Sequence, residues 1–235
     1  MGGNNLTTGI YGTQGIQHPN NWPGARGWGA ATWTDTSGNL WLFGGWGVDA
    51  NGTNYGCLND LWKYDMNTGQ WTWMKGSNLV SQPGIYGTKG LASASNNPPS
   101  RAETNSYWVD DNNNLWLFGG QNCSGGNHDL NDLWMYNIST NEWSWISGSN
   151  TSNNPGNYGT KGLGSTLNYP PSRIEHSSWT DSNGNFWVFA GMDNSNSISS
   201  PTSFGYYNDL WKYTSFRQYL DMGKWFKYSK SNWSK

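Results

Sequence analysis

Charge is scarce in this sequence. Only 12% of its 235 residues are Asp, Glu, Lys or Arg, the net charge is −2, and neither a basic run nor an acidic tail occurs. No nucleic-acid partner is expected, because affinity for a phosphate backbone comes from clustered Lys and Arg. Long apolar runs are missing too. Nothing approaches the roughly 20 residues of a membrane-spanning helix, so no membrane span is expected. The segment MGGNNLTTGIYG has neither the basic nor the apolar region of a secretory leader, which leaves open a removed leader or a longer parent chain. Two cysteines, Cys57 and Cys123, are too few for a disulfide framework or a zinc site. A bridge between neighbouring units and two free thiols are both compatible with their positions. Three histidines, His18, His128 and His176, sit in separate segments, whereas non-haem iron asks for clustered His and carboxylate. No metal or cofactor is expected.

What is abundant is aromatic or small: 18 Trp, 13 Tyr and 32 Gly. Disordered chains are poor in aromatics and rich in charge, so a folded chain is expected. Each large ring buries on the order of 150–250 Å², so a few aromatics per unit replace many aliphatics. Sequons occur at Asn5, Asn51, Asn122, Asn137, Asn150 and Asn232, and matter only in a host that glycosylates secreted proteins.

One pattern is written three times. NLWLFGG at Asn39–Gly45 returns at Asn114–Gly120, and as NFWVFAG at Asn185–Gly191. Each copy is followed by NDLW, at Asn59–Trp62, Asn131–Trp134 and Asn208–Trp211. A repeat of this length is one supersecondary unit that buries its apolar face only by stacking on copies of itself. Within a unit, an arginine opens an alternating strand. An Asp/Gly/Asn turn leads to LWLFGG, a continuously apolar strand read as buried on both faces. A variable loop leads to NDLW-x-Tyr, and a second turn to a Trp-bearing fourth strand. In the third unit, after the long connection TSFRQYLDM, that strand is placed at Lys224–Tyr228. The units span about 1–78, 79–150 and 151–235 of a single domain. Long linkers, Gly9–Ile16, Gly84–Leu91 and Gly156–Leu163, precede each arginine. They are longer than ordinary connections, so Tyr11, Tyr86 and Tyr158 are expected to plug each linker onto a sheet.

An apolar strand ending in Gly-Gly, then Asn-Asp-Leu-Trp-x-Tyr, then a Trp-bearing strand, resembles the kelch repeat, and the likeness covers nearly the whole chain. It is similar to the long-linker kelch proteins often labelled galactose-oxidase-like. The resemblance implies an all-β fold, a β-propeller of four-stranded antiparallel blades, three per chain, with the third less regular at Ala190. Propellers close with about 4–8 blades, so three imply closure of two copies into a six-bladed ring, or membership of a longer chain or larger assembly.

The resemblance also places Arg26, Arg101 and Arg173 beside a central channel, where a ring of guanidinium groups would suit a carboxylate or an acidic peptide. The alternative is that each arginine pairs with an Asp or carbonyls of its own unit. Glu103 and Glu175 share a position two residues further on, with His176 beside the second and Trp28 at that place in the first unit. Paired carboxylates serve acid–base chemistry, but also simply pair with a neighbouring arginine. Asp60, Asp132 and Asp209 of NDLW read as structural acceptors of hydrogen bonds. Trp22, Trp28, Trp46 and Tyr55 are candidates for stacking on sugar rings. A copper-radical site of the galactose-oxidase kind has little support from three scattered histidines. The chain is therefore read as a non-enzymatic binding or assembly module for protein or glycan, extracellular or at the cell surface, with itself as a partner. A carbohydrate-active enzyme of oxidase or sugar-isomerase type is the alternative, and a structural subunit of a surface assembly is a third.

Overall fold

The computed structural model describes residues 7–104, 106–124, 128–193, 205–214 and 223–228. The sequons at Asn5 and Asn232 and most of the long connection before Lys224 lie outside the described residues. Among the described residues every regular element is a β-strand. In the first unit β1 (Ala31–Thr34), β2 (Leu40–Phe43), β3 (Leu61–Asp65) and β4 (Gln70–Lys75) form one antiparallel meander. The second unit repeats it with β5 (Ser106–Val109), β6 (Leu115–Asn122), β7 (His128–Asn137) and β8 (Glu142–Ser147). The third has β9 (Ser177–Thr180), β10 (Phe186–Phe189), β11 (Leu210–Thr214) and β12 (Lys224–Tyr228), the last where the sequence placed it. Registers coincide: Trp33 opposes Trp41, as Trp108 opposes Trp116 and Trp179 opposes Trp187.

The turn between the first two strands has one construction throughout. The Asp35 carboxylate accepts from the backbone N–H of Ser37 and Asn39, the Asn39 amide and the Trp41 indole. Asp110 and Asp181 do the same for their own turns. The residue before the closing Asn takes a positive φ, as Gly38, Asn113 and Gly184. Only Gly and Asn enter that region readily, so the turn chemistry explains the sequence.

The core lies between the sheets. Trp33, Trp41, Phe43 and Leu61 of the first sheet pack on Leu115, Leu117, Trp134, Tyr136 and Trp143 of the second. Trp108, Trp116, Phe118 and Leu133 on the other face of the second sheet pack on Phe186, Val188, Trp211, Tyr213 and Trp225 of the third. The two interfaces are copies: Trp41–Tyr136 and Trp116–Tyr213 both have ring centroids 5.6 Å apart, and Phe43–Trp143 and Phe118–Trp225 are 5.5 and 5.3 Å apart.

The long linkers are packed elements. Tyr11 lies against Trp62 and Trp73, Tyr86 against Trp134 and Trp145, and Tyr158 against Trp211. Each plug docks on the sheet that follows it. Beyond the plug, the linkers donate Gly15 N–H to Trp73 O, Gly90 N–H to Trp145 O and Gly162 N–H to Lys227 O. They thereby cover the outer edge of each fourth strand, which would otherwise offer unpaired backbone groups to another chain. Cys57 and Cys123 form a disulfide that joins the first two units, so the bridged alternative holds.

Candidate functional site

The arginines expected at a ligand site are spent inside their own units. Arg26 meets Asp60 bidentately at 2.7 and 2.8 Å, Arg101 meets Asp132 at 2.8 and 2.8 Å, and Arg173 meets Asp209 at 2.8 and 3.0 Å. Each Nη1 also donates to the carbonyl that follows the apolar strand (Gly44, Gly119, Ala190), and each Nε to a carbonyl two residues back. The side chains of Arg101 and Arg173 are 1% and 0% exposed, and that of Arg26 is 7%. An acidic peptide thus finds no free guanidinium ring here, and the expectation of one is corrected. Polar satisfaction of a buried charge explains why: an unpaired guanidinium would be too costly to bury.

The Asp of each NDLW is the hub of the cluster. Its carboxylate also accepts from the indole two residues on and from the linker tyrosine: Trp62 and Tyr11, Trp134 and Tyr86, Trp211 and Tyr158. Burial opposes the charge on Asp209, but hydrogen bonds and charge from Arg173 outweigh it and hold the carboxyl below its usual pKa. Burial, then the neighbouring carboxylate, push the hydroxyls of Tyr11 and Tyr86 far up. Pairing of linker Tyr with NDLW Asp was not foreseen. Their co-occurrence in every unit is the signal that pointed to it.

Trp28, Glu103 and Glu175 behave differently. All three hold left-handed backbone, with φ of 40°, 52° and 54°. Glu103 N–H donates to Trp28 O at 3.3 Å and Thr104 N–H to Gly29 O at 3.2 Å, so corners of successive units lie side by side. Gly29 is required there, since a Cβ would stand 2.4 Å from Glu103 Cα. Trp28 is 71% exposed and tilts against half-buried Trp46, ring centroids 6.1 Å apart. Partial burial, then the charge of Glu175, raise the Glu103 carboxyl above its usual pKa. The Glu103 corner thus lies beside Trp28 and within reach of the Glu175 charge.

His176 is buried beneath this corner, against Phe118. Burial, then the Arg173 charge, push its pKa down to about 3, so it is neutral. It lines a cavity of about 530 Å³ with Tyr107, Trp108, Ser177, Ser178 and Trp179 among its neighbours. Among the described residues no three His, Cys, Asp or Glu side chains gather as a metal site, and no helix is long and apolar enough to cross a membrane. Of the other aromatics, Trp22 is held in its linker by an indole bond to Thr8 O, and Tyr55 is exposed on the strand Tyr55–Cys57.

No family model and no curated protein matches the chain. In fold it is similar to a solved structure titled "Structure of YjhT", a β-propeller-like protein, with a TM-score of 0.52 and 15% identity. The match covers 87% of this chain and 52% of that one, so the chain spans about half the length of its neighbour. At that identity the likeness concerns the fold.

Proposed function

We propose that the chain is a kelch-type β-propeller module of three blades that acts as a non-enzymatic binding and assembly unit. Three copies of the Gly-Gly, NDLW and Trp-strand pattern, each on a four-stranded meander, support the kelch reading. The ligand favoured by the corner geometry is a neutral glycan. One observation carries this: at the position where the units differ, the exposed Trp28 indole stands on a corner whose backbone is bonded to the corner that carries Glu103. An exposed ring face stacks on a sugar ring, and carboxylates accept from its hydroxyls. The Cys57–Cys123 bridge supports an oxidising, extracellular or cell-surface location. Titration of the 235-residue chain with neutral oligosaccharides, followed by tryptophan fluorescence, tests the reading. A saturable change that Trp28→Ala abolishes and Glu103→Ala weakens at least tenfold is expected. Binding of acidic peptides with no response to any neutral oligosaccharide overturns it.

The enzymatic alternative draws on the raised Glu103 carboxyl beside Glu175. Turnover of a bound sugar, lost in Glu103→Gln, would favour it.

A further inference from the structure

The two outermost sheet faces differ from their inner counterparts in one respect, which is cover. Leu40 on the first sheet is 41% exposed, whereas its equivalents Leu115 and Phe186 are 0% exposed. On the third sheet Trp179 and Phe189 are 52% and 40% exposed, whereas Trp33 and Trp108 are at 5% and Phe43 and Phe118 at 1% and 0%. The same residue types that fill the two internal interfaces thus stand open at the ends.

Backbone and amide groups repeat the register of the two internal interfaces. Between the first and second units, Gly45 N–H donates to Arg101 O, Arg101 N–H to Leu58 O, and the Asn59 amide to Pro98 O. Between the second and third, Gly120, Arg173 and Asn131 make the equivalent bonds to Arg173 O, Leu130 O and Pro170 O. The register assigns the next set to Gly191, Asn208 and Tyr207 on the third unit and to Arg26 and Pro23 on the first.

We infer that these two faces are one interface in trans: the third unit of one copy docks on the first unit of a second copy, and two copies close head to tail. The inference rests on the propeller reading above. The occupant is a second copy because the surface it must present, in shape and in hydrogen-bond register, is the first sheet of this chain. By repetition of the internal contacts, Trp187 would meet the partner's Tyr64, and Phe189 the partner's Trp71. Lys212, whose Nζ lies 4.9 Å from the Phe226 ring centre, does not oppose docking, since Lys63 occupies the equivalent place beside the first internal interface. Ala190 does oppose it slightly. A Cβ at its equivalents Gly44 and Gly119 would lie 2.8 and 3.0 Å from the next unit's arginine carbonyl, so the trans interface must open by a few tenths of an ångström.

Light scattering of the purified 235-residue chain at micromolar concentration tests the inference. The expected mass is about 52 kDa, twice 26.2 kDa. Phe189→Glu and Leu40→Glu change exposed side chains on opposite faces, and each is expected to give a 26.2 kDa species with wild-type near-ultraviolet circular dichroism. A folded wild-type monomer, a mass above two copies, or dimers that survive both substitutions overturns the inference. The glycan titration, repeated on the Phe189→Glu monomer, reads the binding proposal separately, so either can fail alone.

Discussion

At the residue scale, the NDLW aspartates dominate. Asp132 accepts from both Nη atoms of Arg101, from the Trp134 indole and from the Tyr86 hydroxyl. Asp132→Ala strands a buried guanidinium that is 1% exposed. Loss of one partner of such a pair costs about 3–5 kcal/mol, so a fall of that size in urea-unfolding stability is expected. Tyr86→Phe removes a single hydroxyl donor and should cost about 1 kcal/mol. Trp28 obeys the opposite logic. It holds φ of 40° while 71% exposed, so little burial compensates the strain. Trp28→Gly is expected to leave stability unchanged or raise it by about 1 kcal/mol while it abolishes the fluorescence change expected under the glycan proposal. The arginine–aspartate pairing was among the readings open in the sequence, because both residues recur once per unit. The meeting of Glu103 with Trp28 was not legible. Those residues lie in different units and become neighbours only when the sheets stack.

His176 gives the same scale a pH signature. Its pKa falls from 6.5 to about 3 on folding, so between those values the unfolded chain binds the extra proton. Stability therefore drops as pH falls from about 6.5 towards 3, by up to about 1.4 kcal/mol per pH unit. The turn carboxylates act lower: Asp181, held at about 2 by its amide and indole donors against the effect of burial, loses its contribution below about pH 4. Melting temperatures between pH 6.5 and 4.5 carry the histidine's contribution, opposed by that of Glu103, whose raised carboxyl favours the folded state as pH falls, and the histidine's share is read by comparison with a variant. His176→Phe is expected to flatten that window and leave the slope below pH 4 in place. An unchanged slope in the variant would show that His176 is not the titrating group.

At the element scale, the linkers and the disulfide do what sheets alone cannot. The Cys57–Cys123 bridge closes a loop of 66 residues between the first two units. In the chain-entropy description such a bridge contributes about 4 kcal/mol through the unfolded state. Cys57→Ser with Cys123→Ser should lower stability by about 2–4 kcal/mol, read by denaturant midpoint with and without reductant. Reductant should then have no further effect. The sequence could not choose between bridge and free thiols, because the 5.6 Å Cα separation arises from tertiary packing of two units. Strand positions were legible, down to Lys224–Tyr228, since hydrophobic pattern and turn residues are local. The linkers were legible as packed elements through their length and their tyrosines. Their second task, covering the outer edge of each fourth strand, depends on backbone bonds such as Gly90 N–H to Trp145 O, which leave no side-chain signature.

At the scale of the whole molecule, the repeat sets the register of the two internal interfaces, and Ala190 is where the pattern and the proposed docking conflict. Its φ of 59° is one that Gly44 and Gly119 take without strain at the equivalent site. Inside the chain the first Gly of the pair is needed because the next unit's arginine carbonyl comes within 2.8–3.0 Å of where a Cβ would stand. Ala190→Gly should therefore act twice. It removes local backbone strain, which raises the stability of a Phe189→Glu monomer by about 1 kcal/mol. It also removes the methyl from the proposed docking surface, which under that proposal should tighten association of two copies about tenfold, or about 1.4 kcal/mol. Sedimentation equilibrium across dilution reads the second effect independently of the first. Because self-association makes stability depend on concentration, the proposed docking also predicts a melting temperature that rises with dose in wild type, more so in Ala190→Gly, and not at all in Phe189→Glu.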